Sequence, residues 1–204
     1  VITIVDYGVG NVQAIANIYK RLNIAVTLAR DAAAIAGASK IVLPGVGAFD
    51  WAMQRLNDSG MREALDARVG AGQCDVVGIC VGMQMLADRS DEGQLPGLGW
   101  VPGEVRRFDD ARFSTRTHLP HMGWNDVDGR EGESLFGGME APPRFYFLHS
   151  YYFDPRDKAD AIASSDYGGR FTCGVRRGRV AGVQFHPEKS HQWGIALLKN
   201  FAEA

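Results

Sequence analysis

The stretch Asp75-Val76-Val77-Gly78-Ile79-Cys80-Val81-Gly82 (DVVGICVG, 75–82) decides how this chain folds. Val76 to Ile79 show no alternation of polar and apolar residues, which is the pattern of a central parallel strand buried on both faces. The strand ends at Cys80 inside Gly-x-Cys-x-Gly, the cysteine form of the elbow that lifts a nucleophile onto the turn between a buried strand and a helix. A helix is predicted to start near Gly82. Side chains at 78 and 82 would collide with neighbouring strand and helix, so glycine is required there. The positive end of the following helix favours thiolate over thiol.

Upstream, the pattern of short β-branched run, glycine-rich turn and amphipathic helix repeats, as a parallel sheet covered by helices requires. Strands are predicted at Ile2–Val5, Ala25–Ala29 and Lys40–Leu43, the last cut off by Pro44 and Gly45. Helices are predicted near Val12–Leu22, with Ile15, Ile18, Tyr19 and Leu22 on one face, and at Trp51–Leu56 and Met61–Ala71. From Glu104 onward the segments are short, aromatic and divided by turn residues, which predicts mainly antiparallel strands and a closing helix at Trp193–Glu203. The expected fold class is therefore α/β: a mostly parallel central sheet flanked by helices, with antiparallel strands added in the second half. With 204 residues and no long linker, one domain over 1–204 is expected.

Net charge is −2, with acidic and basic residues interspersed, so no nucleic-acid or anionic-membrane partner is expected. No apolar stretch approaches a membrane span of about 18 residues, and Val1–Asp6 carries no basic leader. Cys74, Cys80 and Cys173 are odd in number and lack metal-ligand spacing, which fits a reducing, cytoplasmic compartment. Gly8-Val9-Gly10 is not a dinucleotide fingerprint, because Gln13 stands where the third glycine belongs. No cofactor is expected. His118 and His121 form a His-x-x-His pair without a third ligand nearby, so no metal site is expected either. Arg176, Arg177 and Arg179 read as a solvated hairpin tip.

A nucleophilic sulfur needs a base. Gln184-Phe185-His186-Pro187-Glu188 offers His186 at a strand end, with Glu188 two residues on to accept from the imidazole and hold its tautomer. His118, His121, His149 and His191 compete for that role, and the carboxylate beside it favours His186. Attack on an amide creates an oxyanion, for which Pro44-Gly45-Val46-Gly47 and the amide of Val81 can supply backbone donors.

With these elements assembled, the sequence resembles the class I glutamine amidotransferases: PGVGAF at 44–49, GICVGMQ at 78–84 and QFHPEKS at 184–190. DYGVGN at 6–11, PHMGWN at 120–125 and FYFLHSYY at 145–152 extend the resemblance over the whole chain, toward the branch whose glutaminase subunit serves histidine biosynthesis. The resemblance implies a flavodoxin-like fold, the Cys80, His186, Glu188 triad, and an oxyanion loop at Val46 and Gly47 completed by Val81. It further implies glutamine binding by Gln84, Glu92, Ser150 and Tyr151. Asn11, Trp124, Tyr146 and Lys189 would face a barrel-shaped cyclase subunit in a heterodimer. Without that resemblance, Trp124 and Tyr146 read as core aromatics. Val81 stands where leucine is commoner in the family, and Asp50-Trp51 departs from the usual pattern after the oxyanion loop. Another glutaminase of the class, for pyridoxal phosphate synthesis or γ-glutamyl hydrolysis, and a non-catalytic module on the same fold are the alternatives. The last should have lost a triad member.

Overall fold

The computed structural model describes residues 1–113, 117–139 and 142–204. Its first part comprises β1 (Ile2–Val5), α1 (Val12–Arg21), β2 (Val26–Ala29), α2 (Ala32–Ala36), β3 (Lys40–Gly45), α3 (Phe49–Asp58), α4 (Arg62–Gly70) and β4 (Asp75–Cys80). There follow α5 (Val81–Gln84), β5 (Arg89–Ser90), β6 (Gly103–Arg107), β7 (His121–Asp126), β8 (Asp128–Gly129), β9 (Arg144–His149) and β10 (Tyr151–Pro155). The chain closes with β11 (Ala161–Asp166), β12 (Arg170–Arg177), β13 (Val180–Val183) and α6 (His191–Glu203).

Eight strands form one sheet in the order β2-β1-β3-β4-β13-β12-β11-β8. Pairing is parallel from β2 to β13 and antiparallel from β12 outward. The α/β class expected from sequence is thus the class found, and its first four strands keep the order of doubly wound flavodoxin-like sheets. β4 sits between β3 and β13 with Val76, Val77 and Ile79 sealed from solvent, which is why its sequence does not alternate. Two small sheets, β10-β6-β5 and the ribbon β7-β9, complete the second half.

Register is what positions the functional residues. Gly45 lies opposite Cys80, and Val183 opposite Ile79. Chain leaving β3, β4 and β13 therefore emerges at one sheet edge, carrying residues 46–47, 80–81 and 184–188 with it.

Several boundaries differ from the sequence reading. β3 does not stop at Leu43 but includes Pro44 and Gly45, paired opposite Ile79 and Cys80. β1 pairs with β3 only at Ile41 and Val42, so Pro44 needs no N–H on that side. The unforeseen α2 is five residues long, buries Ile35 and is capped by Asp31 Oδ1 accepting the Ala34 N–H at 2.9 Å. Its shortness left no periodic signal. At the β12–β13 hairpin Gly178 adopts φ +57°, but the arginines are not merely solvated. Arg176 pairs with Glu133, Arg177 with Asp160 and Arg179 with Asp75. Among the described residues no helix is long and apolar enough to cross a membrane.

Candidate active site

Cys80 closes β4 with φ +56° and ψ −114°, a strained conformation for a residue with a side chain. The glycines around it make that turn possible. A Cβ on Gly78 would lie 2.6 Å from the Gly82 carbonyl oxygen, and one on Gly82 would lie 2.0 Å from that of Leu43. A Cβ on Gly45 would come within 2.4 Å of the Gly82 nitrogen. Strand, elbow and helix thus touch backbone to backbone. The helix behind the elbow is shorter than expected: α5 is one turn, Val81–Gln84, which makes a macrodipole argument for a thiolate weak. The charge partner has to come from elsewhere.

His186 supplies it. Its Nδ1 lies 2.8 Å from Glu188 Oε1, which leaves Nε2 free toward the cavity that His186 and Cys80 both line. Burial works to lower the pKa of His186, but the hydrogen bonds to Cys80 and Glu188 and their charges outweigh it and raise it to about 10. The imidazole therefore keeps its proton near neutral pH. Glu188 is buried, and its Oε2 has no hydrogen-bond partner, so the imidazole is the group that neutralises it. His149 and His121 are instead driven down by burial, to about 3 and about 4, and stay neutral. His118 is exposed and offers its carbonyl to the Tyr167 hydroxyl.

A cavity of about 470 Å³ opens above the elbow. Cys80, His186, Val46, Gly47, Val81, Gln84, Glu92, Ser150, Tyr151 and Lys189 all line it. Sequence-predicted residues from five separate segments thus converge on one space. A larger hollow of about 880 Å³ lies around Asn125–Glu133, far from this chemistry in composition: it holds neither Cys80 nor His186. Glu92 does more than line the wall. Its Oε2 accepts the Phe49 N–H at 2.9 Å, capping α3, whose own N-cap Ala48 has no side chain to do so. In return Asp50 accepts the N–H groups of Gln94 at 2.8 Å and Leu95 at 3.0 Å. The two carboxylates clamp the segment leaving the Val46–Gly47 loop to the 92–95 segment, which accounts for Asp50. Trp51 is exposed, with the Arg55 guanidinium 5.7 Å from its ring. Burial, with Asp50 adding to it, raises the Glu92 carboxyl against the lowering effect of the Phe49 N–H.

Two residues of the quoted motifs matter more than the sequence suggested. Gln184 is fully buried; its Oε1 accepts from Gln84 Nε2 at 3.0 Å, and its own amide lies 3.9 Å from Cys80 Sγ. Ser190 is also buried, donating to the His186 carbonyl at 2.6 Å and accepting the Tyr146 N–H at 3.0 Å. Both lie within two to four residues of His186, a proximity that could have marked them.

Beside the cavity, the outer face of the β7–β9 ribbon is apolar and uncovered. Met122 pairs with Leu148 and Trp124 with Tyr146, and Met122, Trp124 and Leu148 are 65%, 40% and 39% exposed. Trp124 is thus no core aromatic. It stacks on His191 with ring centroids 5.3 Å apart, and Lys189 Nζ lies 5.6 Å from the centre of the Tyr146 ring. Asn11 is engaged differently: its Oδ1 caps α1 by accepting the Ala14 N–H at 3.2 Å. Met122 and Leu148 went unread, although their period-two spacing with Trp124 and Tyr146 marks one ribbon face.

The family model for "Glutamine amidotransferase class-I" matches residues 3–204. A Bdellovibrio bacteriovorus protein named "Imidazole glycerol phosphate synthase subunit HisH" is 58% identical over 99% of both chains. A Leptospira borgpetersenii protein of the same name is 46% identical over 98% of both. Among solved structures, a glutamine amidotransferase superposes with a TM-score of 0.76 at 19% identity over 100% of both chains. A second glutamine amidotransferase, from Thermotoga maritima, gives 0.62 at 18%, over 92% of this chain and 75% of its own. At such identities these two speak for the fold.

Proposed function

Since this chain belongs to the class I glutamine amidotransferase family, we propose that it is the glutaminase subunit of an imidazole glycerol phosphate synthase, one domain over residues 1–204 that releases ammonia for a cyclase subunit. The observation that carries the reading is the convergence of Cys80 and His186 on one cavity, with the His186 Nδ1 committed 2.8 Å from the buried Glu188 carboxylate. The relatives' names favour this pathway over other glutaminases of the class.

The chemistry is acyl transfer in two halves. The Cys80 sulfur attacks the side-chain amide carbon of glutamine, and the oxyanion is met by backbone N–H groups of Val46 or Gly47 and of Val81. His186 gives its proton to the departing nitrogen, releasing ammonia and leaving a glutamyl thioester on Cys80. Water then adds with His186 as base, and glutamate leaves as the sulfur is restored. Glu188 holds the imidazole tautomer throughout. Glu92 faces the substrate ammonium, Ser150 and Tyr151 its carboxylate end. Gln84 spends its amide hydrogens on Tyr151 and Gln184, leaving its oxygen to accept from the ligand.

Ammonia protonates in bulk water and loses its nucleophilicity, so delivery through a dry interface follows. Trp124, Tyr146, Lys189 and Asn11, with Met122 and Leu148 added, would seat a barrel-shaped cyclase. The test is Cys80→Ala in the assembled enzyme. Glutamine-dependent synthesis should vanish while synthesis from added ammonia persists; equal loss of both would make Cys80 a structural residue.

A further inference from the structure

Behind the cavity, on the inner face of the β7–β9 ribbon, two buried histidines bond directly: His121 Nδ1 lies 2.9 Å from His149 Nε2. A chain of hydrogen bonds extends from both ends of this pair, and its acceptors fix where each proton must be. The Tyr151 carbonyl can only accept, so His149 Nδ1, 2.7 Å away, carries the hydrogen. His149 Nε2 is then the acceptor, and His121 Nδ1 donates to it. His121 Nε2 in turn accepts from Asn125 Nδ2 at 3.2 Å. Asn125 cannot be flipped, because Nδ2 also donates to the Asp166 carbonyl at 2.8 Å and Oδ1 accepts the Asp126 N–H at 2.9 Å. Beyond the pair, the Tyr151 carbonyl accepts a second bond from Gln84 Nε2, which continues to Gln184 and so to Cys80.

We infer that His121 and His149 are positioning residues: a neutral, one-way hydrogen-bonded strut that ties the docking ribbon to the glutamine-binding wall at Tyr151 and Gln84. The role rests on the glutaminase reading above. Its placement argues for coupling the two faces of one ribbon. Asn125 and His121 flank Trp124 and Met122, so inner and outer residues alternate along β7, and any shift of the ribbon reaches the carbonyl of Tyr151 through the pair. The surroundings keep the strut uncharged. His121 is stacked between Phe147 and Tyr167, with ring centroids 4.6 Å and 4.0 Å away, and Phe108 and Phe171 flank His149 at 5.4 Å and 5.3 Å. No carboxylate is hydrogen-bonded to either ring among the described residues, unlike His186, which Glu188 holds protonated.

Two measurements test it. Long-range proton–nitrogen NMR of the full chain near neutral pH should show both rings as the neutral Nδ1–H tautomer, the minority form of free imidazole side chains. An Nε2–H tautomer or a protonated ring at either position overturns the strut. The second compares His121→Leu with His121→Asn in the complex with the synthase partner. Leucine cannot donate to His149, whereas the asparagine amide can place its nitrogen near the lost Nδ1. His121→Leu should raise the KM for glutamine at least tenfold while synthesis from added ammonia stays within twofold, and His121→Asn should recover most of the loss. An unchanged KM for glutamine in His121→Leu, or equal damage to both syntheses in both variants, overturns the positioning role. Failure of the unaltered complex to hydrolyse glutamine would fault the glutaminase reading instead, since the tautomers are read without substrate.

Discussion

The backbone of Tyr146 is fastened to that of His186 on both sides: the His186 N–H donates to the Tyr146 carbonyl at 2.9 Å, and the Ser190 hydroxyl bridges the Tyr146 N–H to the His186 carbonyl. The β7–β9 ribbon therefore holds His186 directly. Ser190→Ala leaves a buried N–H without a partner and frees the turn 187–189, for a stability loss of about 1–3 kcal/mol. Because small displacements of a catalytic group cost rate steeply, glutamine hydrolysis in the complex should fall roughly tenfold or more. Urea unfolding and a glutaminase assay check both numbers; an unaltered unfolding midpoint would remove Ser190 from this role.

The protonated state of His186 makes a prediction about pH. Its folded-state pKa is raised from 6.5 to about 10, so the stabilisation is complete below pH 6.5 and is lost as pH rises through 10. Glu188→Gln removes one source of that rise, at about 1.4 kcal/mol for each unit forfeited. The stability gap between the unaltered protein and Glu188→Gln should be widest near pH 6.5 and close toward pH 10.5. Chemical denaturation at a series of pH values measures it. A gap that stays constant over that range would mean the pair does not hold a charge.

The elbow predicts a contrast between two glycines. At Gly82 a methyl group would meet the Leu43 carbonyl oxygen at 2.0 Å, backbone against backbone, and neither side can yield without breaking the β3–β4 register. Gly82→Ala should cost at least about 3 kcal/mol, at the upper end for overpacking. Gly37, at the end of α2, has nothing within 4 Å of such a methyl, so Gly37→Ala should stay within about 0.5 kcal/mol. Paired unfolding curves decide the matter, and similar losses in both would discredit the packing of the elbow.

What the sequence revealed follows from how locally each feature is encoded. β4 announced itself because burial on both faces removes alternation, and Cys80 and His186 stand in motifs whose spacing is steric. The meeting of Cys80 with His186, 106 positions along, depended on β13 returning to pair with β4, which no local pattern states. The exchange of carboxylate caps between Glu92 and Asp50 was equally hidden, since each caps a backbone segment more than 40 residues away. The one-turn length of α5 also escaped. Val81-Gly82-Met83-Gln84 opens like a longer helix, and the chain then turns to supply Arg89 and Ser90 to a second sheet.

The same locality bears on the exposed apolar face of the β7–β9 ribbon. Met122 is the most exposed large hydrophobic residue of the β7–β9 ribbon, and its side chain contributes little to the interior that His121 and Phe147 fill from the opposite side. A charge there should leave the chain's own stability within about 0.5 kcal/mol. Buried in a complex, that charge would be desolvated without a partner, a cost of at least about 2 kcal/mol, or roughly 30-fold in affinity. Met122→Asp should therefore weaken binding of the synthase partner by at least that factor in calorimetric titration while thermal unfolding of the isolated chain is unmoved. Full affinity with this substitution would place the partner on another surface, and the apolar ladder of Met122, Leu148, Trp124 and Tyr146 would need a different occupant.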